Sequence, residues 1–138
     1  MKIPAEVFRL ARGNARLLLA SADTTGIPHL DAADGLACLA AGRIQVRYWF
    51  CPQTLANIEQ NPRCSLVIWD AAADRGYQLA GEVDAVREGG VLDGYSPQDA
   101  PLPQVEHRLT IRVDRVLEFR HAPHTDRPVE PAKPTAHA

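Results

Sequence analysis

The sequence predicts a mainly β protein, an antiparallel barrel of six or seven short strands with two short helices. Three observations predict it. Residues 43–50 alternate, with Ile44, Val46, Tyr48 and Phe50 on one side and Arg43, Gln45, Arg47 and Trp49 on the other, as in a strand with one buried face. The stretch from His107 to Val113 alternates again through Leu109, Ile111 and Val113. Turn residues recur at regular spacing, which favours an antiparallel barrel over a parallel α/β sheet.

The elements follow in order. Val7, Leu10 and Ala11, flanked by Phe8, lie at helical spacing between Pro4 and Asn14, a short amphipathic helix that ends near Gly13-Asn14. Leu17-Leu18-Leu19-Ala20 is a continuous apolar run, expected of a strand covered on both faces. Asp23-Thr24-Thr25-Gly26 is a turn, and Ile27-Pro28-His29-Leu30 begins the return strand of a hairpin. Another short apolar stretch, Gly35 to Ala41, is closed by a turn at Ala41-Gly42-Arg43. After the alternating strand, the period changes at Cys51-Pro52-Gln53-Thr54; Leu55 and Ile58 then fit a short helix with Thr54 as N-cap and Pro62 as its stop.

Strands resume at Cys64–Trp69 and at Tyr77–Val86; in the second, Gln78, Glu82 and Asp84 form the polar face. Residues 90–104 read as a long surface connection, and His107–Val113 with Val116–Phe119 closes the sheet. Residues 1–120 therefore make the barrel. Residues 121–138, with four prolines and no apolar period, read as a disordered tail.

Composition narrows the function. A chain of 138 residues with 46% hydrophobic and 23% charged content forms one domain whose core needs no metal or disulfide. The net charge of −2 provides no basic field for nucleic acid. No apolar run approaches the roughly 18 residues of a membrane span, and Met1–Glu6 leads into no signal-peptide core, so the expected location is cytoplasmic. Cys38, Cys51 and Cys64 form no C-x-x-C pair and read as free thiols. Lys2 and Lys133 are the only lysines and lie near the ends, so any bound phosphate must be held by arginine, hydroxyl or backbone N–H. No G-x-S-x-G element or spaced carboxylate pair supports a hydrolase.

The segment Tyr48-Trp49-Phe50-Cys51-Pro52-Gln53-Thr54-Leu55-Ala56-Asn57 carries the chemistry. An aromatic strand delivers the chain to a helix amino end, whose first N–H groups have no partner within the helix and favour an anion such as phosphate. The aromatics before it suit a flat ring of the same ligand. Gln53, Thr54 and Asn57 add neutral donors, and Arg47 or Arg63 adds charge. The alternative for the same residues is structural, with Tyr48 and Phe50 as core and Thr54 as cap.

Four stretches occur here in the order and spacing seen in one family: Gly26-Ile27-Pro28-His29, Tyr48-Trp49-Phe50, Gln53 through Asn61-Pro62-Arg63, and Gly76-Tyr77-Gln78-Leu79-Ala80-Gly81. Over residues 5–120 the chain resembles the pyridoxamine 5′-phosphate oxidase-like, FMN-binding split-barrel family. The resemblance implies a six-stranded antiparallel split β-barrel with short flanking helices, and a homodimer with two FMN sites at its interface. The flavin ring is expected against the backbone of Asp31, Ala32 and Ala33. The end of the strand holding Tyr48, Trp49 and Phe50 would line the ribityl chain and ring, with Arg47 placed to add charge at the phosphate. Gln53 and Thr54 are expected at the phosphate, with Asn57 one turn on. Gln78, on the polar face of its own strand, either hydrogen-bonds a ring carbonyl or is solvated.

Two departures refine this. Members often carry lysine or arginine at the position of Gln53–Thr54, and true pyridoxamine phosphate oxidases carry an arginine soon after the G-x-P turn, where this chain has Asp31. The expected function is therefore an FMN-dependent oxidoreductase acting on some other small molecule. The alternatives are a non-catalytic flavin-binding or electron-transfer protein, or a binder of F420 or haem on the same barrel, His29 being the histidine placed for haem. No residue of the chain is assigned as a catalytic acid or base, and no metal site is expected.

Overall fold

A computed structural model describes residues 2–49, 51–91 and 105–129. Helix α1 (Ala5–Arg12) is followed by β1 (Arg16–Ala22), β2 (Pro28–Ala33), β3 (Gly35–Ala40), β4 (Arg43–Trp49), α2 (Pro52–Gln60), β5 (Arg63–Asp70), β6 (Arg75–Val91) and β7 (Val105–Glu118). The fold is mainly β, and every strand pair is antiparallel, in the spatial order β2-β1-β5-β6-β7-β4-β3.

The two outermost strands of that order, β2 and β3, are consecutive in the chain and separated only by Asp34. The Asp34 N–H donates to the Arg47 carbonyl on β4 at 2.7 Å. The sheet thus bends round until its edges meet at one corner, which makes it a barrel. This corner also reconciles the strand counts, because β2 and β3 are the halves of one bent strand. Seven strands are present where the family resemblance implied six.

Alternation places the core. Leu17 and Leu19 of β1, Ile44, Val46 and Tyr48 of β4, Leu66 and Ile68 of β5, Leu79 of β6, and Leu109, Ile111 and Val113 of β7 all point inward and are buried. Val7 of α1 joins them at 0% exposure. Within one chain β1 is covered on its inner face: Leu18 points outward and is 37% exposed.

The two expected C-terminal strands are one. β7 runs unbroken through Asp114 and Arg115, where its register against β6 shifts by one residue. Such a bulge lets two successive residues face solvent without ending the ladder. Gly81 lies opposite, so close to the Arg112 carbonyl that a Cβ would collide with main chain.

The tail expected from residue 121 is different at its start. Residues 121–129 return along the sheet, with Glu118 N–H donating to the Arg127 carbonyl at 2.8 Å and Val129 N–H to the Val116 carbonyl at 2.8 Å. Asp74, in the left-handed region at φ 51°, accepts from the N–H groups of His121 (2.6 Å) and Ala122 (3.1 Å) and from the Trp69 indole (3.3 Å). Proline content obscured this, since the anchor lies on a distant hairpin. The expected connection over 90–104 falls mostly outside the described residues, although β6 itself extends to Val91.

Candidate cofactor site

Helix α2 starts three residues earlier than its apolar spacing implies. Cys51 is the N-cap, with extended φ −132° and ψ 107°, and Pro52 occupies the first helical position. Proline fits there because its missing N–H would have no intrahelical partner. Thr54 is therefore not the cap. It lies inside the first turn, fully buried, and its Oγ1 donates to Asp31 Oδ2 on β2 at 3.4 Å.

This shift determines what the helix end offers. Leu55 N–H reaches the Cys51 carbonyl at 3.1 Å, and no side chain caps the helix. The N–H groups of Gln53 and Thr54 are then left without a partner among the described residues, at the positive end of α2. Further along, Asn57 Nδ2 donates to Ser21 Oγ on β1 at 3.0 Å, and Gln53 Nε2 donates to Asn57 Oδ1 at 2.8 Å. These bonds fix α2 across the β1–β2 end of the barrel.

Around the N-cap the structure gathers a polar group that includes residues the sequence reading did not assign to the site. His29 Nε2 lies 3.3 Å from Cys51 Sγ. Burial pushes the Asp31 carboxyl above the usual range, against the pull of the Ala32 backbone bond, His29, Thr54 and Cys51. The Tyr48 ring is fully buried, and its hydroxyl has no hydrogen-bond partner among the described residues. Burial foremost, then the nearby Asp31 and Cys51, drive the phenol well above its ordinary value. An unsatisfied buried hydroxyl costs about 1–3 kcal/mol.

The other expected site residues lie elsewhere. Register puts Asp31 opposite Leu19 and Ala33 opposite Leu17, both on the inner face, while Ala32, opposite Leu18, is on the outer face. Gln78 is also on the outer face, opposite Val67, where its Nε2 donates to Ser65 Oγ at 3.2 Å. Arg47 and Trp49 share the outer side of β4; Arg47 lies over Gly35 and pairs with Glu106 at 4.0 Å. Arg63 is held by Asp114 and lies 4.0 Å from Glu82. The two arginines expected to supply charge to a phosphate are thus engaged by carboxylates. Phe50 lies outside the described residues.

Ser21 was within reach of sequence reasoning: it is the polar residue in the inward-facing series Leu17, Leu19, Ser21. The contact of His29 with Cys51 was not, because it spans the barrel corner. Beside the polar group, β2 pairs with β1 alone, so its far edge from Pro28 to Ala33 leaves alternate main-chain N–H and C=O groups open. No group of His, Cys, Asp or Glu side chains among the described residues has metal-binding geometry. No helix among them is long and apolar enough to cross a membrane.

The strand order and the closed corner define the class as a split β-barrel. The family model for pyridoxamine 5′-phosphate oxidase matches residues 3–118, and the chain belongs to that family. No curated protein matches its sequence. Among solved structures, HupZ of Group A Streptococcus is similar at 19% identity and a TM-score of 0.63, covering 89% of this chain and 98% of HupZ. An FMN-binding protein of Syntrophomonas wolfei is similar at 16% identity and a TM-score of 0.59, covering 82% of this chain and 86% of that one. An F420 reductase is similar at 18% identity and a TM-score of 0.56, covering 83% and 98% respectively. At these identities the likeness establishes the shared fold.

Proposed function

We propose that this protein is an FMN-binding flavoprotein that acts as a homodimer and an oxidoreductase on a small molecule other than pyridoxamine phosphate. The observation that carries this reading is the amino end of α2, where the N–H groups of Gln53 and Thr54 have no partner among the described residues, set at the end of β4 and beside the open edge of β2. The cradle suits a phosphate, and an open strand edge suits the polar rim of a flavin ring. FMN bound there would supply hydride or electron transfer.

The chain's own residues supply position and field. Gln53 and Thr54 hold the phosphate through main chain, Asn57 and Ser21 hold the helix, and the β2 main chain meets the ring. Asp31 brings a carboxyl where a second phosphate-bearing substrate would need a cation, which argues against pyridoxamine phosphate.

If Gln78 serves the ring, its place in the fold supports the homodimer. Gln78 is three strands from β2 in the sheet, roughly 14 Å at the usual interstrand spacing. Within one protomer it cannot meet a ring held at β2. A partner subunit packed on the outer face brings its own Gln78 to that ring. The face is suitably apolar: Leu18, Ala20, Ala22, Leu30 and Ala32 project from β1 and β2, with Leu30 65% exposed.

One observation favours a second reading, a non-catalytic flavin or F420 carrier. With Arg47 and Arg63 paired to acids, the phosphate is held by neutral donors, and a hydrogen bond of that kind is weaker than a bond between opposite charges. A visible absorption spectrum during FMN titration, followed by steady-state reduction with nicotinamide donors, separates the two. Bound flavin that is reduced and reoxidised with turnover supports the enzyme; bound flavin without turnover supports a flavin carrier; no binding of FMN overturns both of these, and a parallel titration with F420 decides the F420 carrier.

A further inference from the structure

We infer that Cys51 is a reactive thiol suited to exchange with a low-molecular-weight disulfide, with His29 as the base that takes its proton. The inference does not depend on the flavin reading. His29 Nε2 and Cys51 Sγ lie 3.3 Å apart, within reach for proton transfer. Cys51 is the N-cap of α2, so its sulfur stands where the helix end favours negative charge. The thiol is half-buried, which leaves it open to a small reagent.

A third observation concerns the charges around the sulfur. Asp31 of β2 interacts with Cys51 as well as with His29 and Thr54, and the first turn of α2 contributes no acid. His29 and the helix end favour the thiolate, and an ionised Asp31 opposes it.

The exchange balances simply. His29 takes the Sγ proton, and the thiolate attacks one sulfur of R–S–S–R. A Cys51–S–S–R bond forms as the R–S–S–R bond breaks, and the departing R–S⁻ takes a proton from the imidazolium or water. Cys51 is oxidised, the departing half is reduced, and a free thiol reverses the step.

The chain contains its own references. Cys38 is exposed, and its thiol donates to the Ala40 carbonyl at 3.8 Å. Cys64 is buried, and burial pushes its thiol up to about 12. The test is to treat the full chain with glutathione disulfide, and separately with iodoacetamide, and to follow each cysteine by peptide mass across pH 5–9. At pH 7 Cys51 should react about tenfold faster than Cys38. His29→Gln should slow Cys51 and leave Cys38 unchanged, while Asp31→Asn should speed it. A Cys51 that reacts no faster than Cys38 in the unaltered chain overturns the inference, whatever the variants do. So does a folded His29→Gln protein with an unchanged Cys51 rate.

Discussion

Asn57 Nδ2 donates to Ser21 Oγ at 3.0 Å, and both side chains are buried, at 2% and 5% exposure. The bond joins the helix that carries the proposed phosphate site to β1. Because Asn57 also accepts from Gln53, it sets the first turn of α2 as well as its docking. Replacing Asn57 with alanine leaves the Ser21 hydroxyl buried and unpaired, so Asn57→Ala should lower stability by about 1–3 kcal/mol in a denaturant titration. FMN affinity should fall with it, because the cradle loses its anchor.

Asp31→Asn should raise the melting temperature at neutral pH. The folded carboxyl titrates above its unfolded value because it is partly buried. Near pH 3, below the unfolded value, Asp31 is protonated in both states and folding carries no penalty. As pH rises through the folded value, the ionised carboxylate is better solvated in the unfolded chain, and stability is lost. The advantage of the variant should therefore be largest at pH 7 and vanish toward pH 3 in melts recorded across that range.

Tyr48→Phe removes a hydroxyl that is buried without a partner among the described residues. The ring and its packing against His107, with centroids 5.7 Å apart, are kept. The ligand-free variant should be more stable by roughly 1–3 kcal/mol in the same denaturant titration. Lower stability would mean that the hydroxyl is bonded in solution, most simply to an ordered water.

Leu18→Glu tests the dimer. Leu18 points out of the barrel and is 37% exposed in the single chain, so the substitution leaves the core intact. Sedimentation should show the unaltered protein as a dimer and the variant as a folded monomer. A glutamate variant that remains a dimer would place the interface elsewhere.

Much of this was legible in the sequence because it was local. The change from a period of two to a helical period after Trp49 located both β4 and α2, and the alternation of Ile44, Val46 and Tyr48 gave their inward direction. What was not legible depended on contacts between distant segments. Pro52 at the first helical position moves the N-cap to Cys51, and Thr54 is freed for Asp31, which lies on another strand. The bulge at Asp114 needs its partner strand before two exposed residues in a row read as a continued strand. The carboxylates that engage Arg47 and Arg63 come from β6 and β7, and no spacing within the site segment announces them.

The central claim is that the amino end of α2 holds the phosphate of a flavin. The most direct test is a paired titration of the purified protein with FMN and riboflavin, read by flavin fluorescence and repeated with Gln53→Lys. Two N–H bonds to a charged group predict FMN binding at least about tenfold tighter than riboflavin, and the added cation should widen that ratio while leaving riboflavin unchanged. Equal affinity for FMN and riboflavin, unmoved by Gln53→Lys, would contradict the account.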